Sequence, residues 1–390
     1  MTWRDRRALN VAIVLAGVAA ACVHAGVVQS PLKALTPNAR LAAIRKAQVW
    51  TPTDVASMDL RAGPQGAGGF APNETVHCDY LQKEMSGKSP KFTCVLAKSG
   101  DKRATAQGGE KSAGAKGDDQ GDKADEVKVK YGRDNGEVYG EVAATRLLWA
   151  LGFGADRMYP VRVVCHGCPP NPTHNPNDRR DEVVFDPAAI ERKMSGKTLE
   201  MRPDSGWAWP ELDLVDEAAG GAPRAQRDAL KLLAVFMQHT DSKPAQQRLM
   251  CVSEHAAEGE ACPQTFMMLN DVGLTFGHAN VFNRNYPGSV NFEEWSHTPV
   301  WTDPKGCVGN LPKSMSGTLN NPVIGEAGRK FLADLLVQLS DKQLHDLFDV
   351  ARFPVRWGLG GDANHNVTVD AWVDAFKKKR DEVVGRSCTP

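Results

Sequence analysis

Hydrophobic periodicity divides this chain into two kinds of sequence, and that division limits its fold more than any other feature. Two-residue alternation marks Thr75 to Leu81, Lys91 to Leu96, Val127 to Tyr131 and Tyr159 to Cys165 as strands. One helix interrupts them, Glu137 to Leu151, with Val138, Val142, Leu147, Leu148 and Leu151 apolar and Gly152 as its stop. Later the period turns helical. Gln226 to Gln238 sets Leu230, Leu233, Ala234 and Met237 on one face, and Phe331, Leu332, Leu335, Leu336 and Leu339 repeat that spacing. Ser340-Asp341-Lys342-Gln343 is a capping box opening a further helix through Phe348. A hairpin, Gln247 to Val252 with Thr265 to Leu269, lies among these helices. Strands with one helix first and helices later is an α+β pattern, expected as a small β-rich lobe followed by a larger helical lobe.

Breaks in composition place the boundaries. Met1 to Arg7 carries Arg4, Arg6 and Arg7, Ala8 to Val23 is apolar, and Val23-His24-Ala25 is a small-x-small site before Gly26. That layout is a secretory signal peptide over residues 1–25, so the mature chain is expected to be exported, to a periplasm or the exterior. Asn10, Gly17 and the many alanines leave the apolar run weaker than a membrane span, so none is expected after cleavage. Cys22 lacks the bulky aliphatic residue three places before it that lipid attachment favours. Residues 26–72 form an N-terminal extension with a modest helical signal from Ala34 to Val49. The β-rich lobe covers 73–165. Inside it, Lys98 to Glu126 is a Lys, Gly, Asp, Ala and Gln run without a large apolar side chain, so it reads as a disordered insertion in an antiparallel meander. Residues 166–225 are the inter-lobe connection, including Val183 to Ala188 and Trp207 to Val215, and 226–390 the helical lobe.

Cysteine content agrees with export. Of nine cysteines, Cys22 falls in the signal, and the other eight suggest disulfides. Cys251 with Cys262, bracketing a polar hairpin tip from Glu254 to Glu260, is the leading pair, and Cys78 with Cys94 is the next. Cys165 and Cys168 form a disulfide with each other or with distant cysteines, because no second C-x-x-C completes a zinc site. Forty-seven basic residues balance forty-seven acidic ones, which removes any general electrostatic argument for nucleic acid as a partner.

Two short segments carry the chemistry. His239-Thr240-Asp241-Ser242-Lys243-Pro244-Ala245-Gln246 follows the long helix, and Asn270-Asp271-Val272-Gly273-Leu274 closes the hairpin. The first resembles the H-R-D-x-K-P-x-N loop of protein kinases, with Thr240 for Arg and Gln246 for Asn. The second is similar to D-F-G-L. Upstream, Val127-Lys128-Val129-Lys130 resembles V-A-I-K, with Glu141 on the next helix as the ion-pair partner of Lys130 and Lys128 as a rival on the same strand face. Over roughly Thr75 to Phe348 the chain thus resembles the protein-kinase-like superfamily. It is closer to atypical branches, such as type II phosphatidylinositol 4-kinases and secretory-pathway kinases, than to ordinary Ser/Thr kinases.

The resemblance implies a two-lobed kinase-like fold and transfer of the γ-phosphate of ATP, with Mg or Mn, to a hydroxyl-bearing acceptor. It assigns Asp241 to the acceptor hydroxyl proton, Lys243 to the transferring phosphate, and Asp271 and Gln246 to the metal. Lys130 and Glu141 would serve the nucleotide, and Ser86 and Gly87, in Met85-Ser86-Gly87-Lys88-Ser89, would stand in for the missing G-x-G-x-x-G. That segment also resembles the tail of a P-loop, but Gln82 holds the place of the leading Gly. With Thr240 in place of Arg, control by activation-loop phosphorylation is not expected, and no A-P-E follows Asp271. The alternative reading is a catalytically inactive kinase-like binding module of the cell envelope. A third is a secreted, disulfide-stabilised hydrolase or structural protein carrying an accidental motif.

Taken singly, each residue also has a structural reading: His239 as a core histidine, Asp271 as a turn residue, Glu141 as a helix-dipole complement. Trp207, Trp209, Trp295 and Trp301 read as packing. Asp362 to Asp370 has oxygen side chains at calcium-loop spacing. Val367 and Val373 stand where Gly and a bidentate acid belong, so a plain loop into a Thr368 to Val384 helix is expected.

Overall fold

In the barrel at the centre of this fold, apolar residues alternate along each strand, so that one side of every strand can be filled from within. The computed structural model describes residues 35–66, 68–85, 87–96, 125–199, 206–252, 262–278, 288–356 and 367–388. The signal segment, most of the low-complexity run, the tip between Cys251 and Cys262, and the first part of the calcium-like loop lie outside these residues, as does Ser86.

Strands β1 (Glu74–Leu81), β2 (Lys91–Leu96), β3 (Glu126–Tyr131), β4 (Arg157–His166) and β5 (Glu182–Arg192) close in the order β1-β2-β3-β5-β4. The closing pair, β1 with β4, is parallel, and the other neighbours are antiparallel. Phe92, Cys94, Val127, Val129, Tyr131, Tyr159, Val163 and Ile190 fill the barrel interior. The alternation therefore turns Lys128 and Lys130 outward. β5 lies in the stretch expected to be inter-lobe connection, and it extends the β-rich region past residue 165. Pro187 interrupts its pattern. The strand tolerates it because Asp186 and Pro187 together oppose a single residue of β4, a bulge between Val161 and Val163.

Helix α1 (Pro37–Arg45) and the chain after it pack against the rest of the fold. Gln48 donates its N–H to the Thr265 carbonyl and accepts from Met267 N, adding a bridge to the small sheet of β6 (Lys197–Thr198), β7 (Gln247–Cys251) and β8 (Thr265–Leu269). Gln343 donates to the carbonyls of Val55 and Met58, and Arg61 pairs with Asp346 and Asp349.

The remaining helices are α2 (Glu137–Ala150), α3 (Arg224–Phe236), α4 (Phe292–His297), α5 (Glu326–Leu336), α6 (Asp341–Val350) and α7 (Val369–Val384). Ser340 and Gln343 form the expected reciprocal cap of α6, and Thr368 caps α7. A second core joins these helices through Phe236, Phe276, Trp295, Phe348, Phe353, Trp372 and Phe376. Phe353 and Trp372 meet at 4.6 Å between ring centroids and Phe236 and Phe376 at 4.8 Å, contacts each worth about 1 kcal/mol beyond burial. Trp207, Trp209, Trp295 and Trp301 are all buried. Helix α2 is buried on nearly every side and packs against β4, β5 and α6.

Disulfides join Cys78 to Cys94, Cys165 to Cys168, Cys251 to Cys262 and Cys307 to Cys388. Among the described residues no helix is long and apolar enough to cross a membrane.

Candidate functional site

Lys130 leaves β3 on its outer face and points at the first two turns of α2. Its ammonium lies 2.7 Å from Glu137 Oε2, 2.7 Å from Glu141 Oε2 and 3.6 Å from Asp271 Oδ2. Glu137 and Glu141 are four residues apart on one helix, so they rise on the same face, one turn above the other. Asp271 arrives from the loop after β8, where its Oδ1 accepts the Gly273 N–H at 3.1 Å. Strand, helix and loop thus bring Lys130, Glu141 and Asp271 together, as the sequence order predicts. Lys128, the rival, instead pairs with Glu191, and Lys193 extends that second network to Asp156 and the Asn270 side chain.

Close approach of α2 to the Asp271 loop depends on glycine. A Cβ on Gly273 would lie 2.7 Å from Glu137 Cγ, and one on Gly136 would lie 2.5 Å from the Ser289 carbonyl. A side chain at Gly273 would displace the Glu137 side chain, and one at Gly136 would meet the Ser289 backbone.

One ammonium among three carboxylates leaves an excess of negative charge in a buried space. Burial pushes Glu141 up to about 8, against the pull of Lys130 and helped by Asp271. Burial opposes the charge on Lys130, but Asp271, Glu137 and Glu141 outweigh it and hold its pKa well above the ordinary lysine value. Burial also opposes the charge on Asp271, but Lys130 above all holds its carboxyl well below the usual range.

The His239–Gln246 loop is wired differently. His239 is fully buried beside Trp209, and burial lowers it to about 4, so the ring is neutral. Neither ring nitrogen meets a partner among the described residues, and the side chain serves as core. Asp241 Oδ2 accepts from Lys243 Nζ at 2.8 Å and from Gln246 Nε2 at 2.5 Å. Gln246, expected as a metal ligand through its amide oxygen, thus turns its amide nitrogen to Asp241. Its main-chain carbonyl accepts the N–H groups of Asn270 and Asp271 at 2.7 and 3.2 Å, and Thr240 N donates to the Leu274 carbonyl at 3.1 Å. The two motif loops are therefore stitched together along their backbones.

Glu137, Ser89 and Lys91 are the residues that sequence reading missed. Ser89 Oγ donates to Glu137 Oε2 at 2.9 Å, so the β1–β2 connection reaches the cluster through Ser89. The four-residue spacing to Glu141 was the available signal for Glu137. Lys91 is paired with Lys130 only by strand register. Gly87 lies in the same connection with φ +84°.

No family model and no curated protein matches the chain. Among solved structures it is similar to the Helicobacter pylori proinflammatory kinase CtkA, at 8% identity and a TM-score of 0.40, over 81% of this chain and 95% of that one. A likeness this remote leaves function to rest on the site itself.

Proposed function

We propose that this chain is an exported, two-lobed, kinase-like phosphotransferase that moves the γ-phosphate of ATP to a hydroxyl acceptor. The observation that carries the reading is the convergence of Lys130, Glu141 and Asp271 from three separate elements, with the Asp241 loop bonded to the Asp271 loop. The four disulfides and the N-terminal segment support export.

In this reading the acceptor oxygen bonds to the γ-phosphorus as the bond to the departing ADP oxygen breaks, and the hydroxyl proton passes to Asp241. Lys243, at 2.8 Å from Asp241, steadies the transferring group. Carboxylate oxygens of Glu137, Glu141 and Asp271 lie within 4.8 Å of one another, a hard-oxygen set suited to Mg or Mn. Asp271 would hold such an ion, with Gln246 beside it, and the ion would supply neutralisation of phosphate charge.

One observation favours a second reading, a nucleotide-binding module without transfer. Asp241 Oδ2 is already engaged by both Lys243 and Gln246, which competes with its use as a base.

Thermal shift and γ-phosphate transfer assays on the mature chain with Mg-ATP or Mn-ATP separate the readings. Binding by wild type that Asp271→Asn abolishes, with transfer lost in Asp241→Asn, supports the kinase. Binding without any transfer supports the module, and no binding overturns both.

A further inference from the structure

Lys130 cannot easily be the group that meets a nucleotide phosphate, because it is fully buried and already matched by three carboxylates. Lys91 stands beside it in the β2–β3 register, where strand alternation turns both side chains to the outer face of the barrel. Among the described residues the Lys91 ammonium has neither an ion-pair nor a hydrogen-bond partner. Thr173 Oγ1 holds the main chain instead, accepting from the Lys91 N–H and donating to the Lys91 carbonyl. It is half-buried: burial first, and then the charge of Lys130, lower its pKa, against the opposing pull of Glu137 and Asp271.

A half-buried cation beside a second cation, which feels the carboxylates of Glu137 and Asp271 but bonds to neither, keeps its donors open to an anion. The surroundings suit that anion. The ammonium lies 2.8 Å from where a Cβ at Gly87 would be, so it sits directly against the backbone of the connection that replaces a glycine-rich loop. With Gly87, Ser89 and Thr173 it lines a cavity of about 380 Å³, to which Lys83 adds a second cation and Glu84 one carboxylate.

We propose that Lys91 is the residue that grips the phosphates of the bound nucleotide, while Lys130 holds Glu137, Glu141 and Asp271 in place behind it. The assignment rests on the nucleotide reading above and deepens it. The β1–β2 connection then supplies backbone to the phosphates from above, and Lys91 supplies charge from the strand beneath.

Calorimetry of Mg-ATP and of adenosine on wild type, Lys91→Met and Lys91→Arg tests it. Lys91→Met is expected to weaken Mg-ATP binding by about tenfold or more, as loss of a charge-assisted bond does, and to leave adenosine within about twofold. Lys91→Arg is expected to restore most of the loss. Relief of burial and of Lys130 repulsion offsets the lost attraction of Glu137 and Asp271, so the ligand-free Lys91→Met chain is expected to melt close to the wild-type temperature. Unchanged Mg-ATP binding in Lys91→Met overturns the assignment. So does an equal loss for adenosine, or a lowered melting temperature, either of which makes Lys91 structural. Failure of wild type to bind Mg-ATP overturns the functional reading itself and takes this one with it.

Discussion

The Lys130 cluster and the Asp241 loop arrange their charges in opposite ways. In the first, one ammonium answers three carboxylates drawn from a helix and a distant loop, with Lys130 and Glu141 buried and Glu137 and Asp271 partly so. In the second, one carboxylate is answered by an ammonium and an amide from the next five residues of its own chain, and Lys243 is 37% exposed. The locally wired loop is the one that a sequence reader recognises, since all its partners fit in one window. The long-range cluster is energetically the denser of the two. A recognisable motif and a tightly held site are thus different properties, and here they sit on different elements.

The largest test of that contrast is removal of each lysine. Lys130→Met leaves three carboxylates without their cation and is expected to cost about 3–5 kcal/mol in denaturant unfolding. Lys243→Met, at a partly exposed pair, should cost no more than about 1 kcal/mol. Equal losses would erase the distinction.

Acidity sharpens it further, because the two regions respond to pH with opposite sign. Glu141 has a folded pKa, about 8, above its ordinary 4.5, so it binds its proton more tightly when folded. Its contribution is full below pH 4.5 and is lost as pH rises towards 8. His239 has a folded pKa, about 4, below its ordinary 6.5. Its contribution is full above 6.5 and is lost as pH falls towards 4. Unfolding free energies measured across that range should therefore show Glu141→Gln removing a decline between pH 5 and 8, and His239→Phe removing an acid loss. Each effect is expected on the order of 2 kcal/mol. A slope of the same sign in both variants would contradict the assignment.

Two smaller effects probe each region from within. Gln246→Ala keeps the main-chain carbonyl that ties the loops and loses only the amide bond to Asp241, for about 1 kcal/mol. Glu137→Gln removes one negative charge from the cluster yet keeps an oxygen for Lys130 and Ser89. Its unfolding free energy should stay within about 0.5 kcal/mol of wild type. A loss as large as that of Lys130→Met would show that the negative charge is not in excess.

Much of the fold was legible because its signals are local. Alternation placed β2 at Lys91–Leu96 without error, Gly152 ended α2 within a residue, and Ser340 with Gln343 announced α6. Cys251–Cys262 and Cys78–Cys94 were legible because their separations of 11 and 16 residues close hairpins, whereas Cys307–Cys388, 81 apart, follows only from packing. β5 was missed because Pro187 breaks a strand pattern, and nothing in one chain reveals that a bulge accommodates it. Of the site, Lys130, Glu141, Asp241 and Asp271 came from motif order. Lys91 and Glu137 carry no motif; only the register of β2 on β3 and the seating of α2 bring them to the same place.

That seating, made through Gly136 and Gly273, has a mechanical consequence. With Arg146 of α2 also bonded to the main-chain oxygens of Leu60 and Met158, the helix has no slack at its first turn and is pinned farther along. It behaves as a strut rather than a lever: tilting it outward would tear several buried contacts at once. The β1–β2 connection, by contrast, reaches the cluster through the Ser89 hydroxyl.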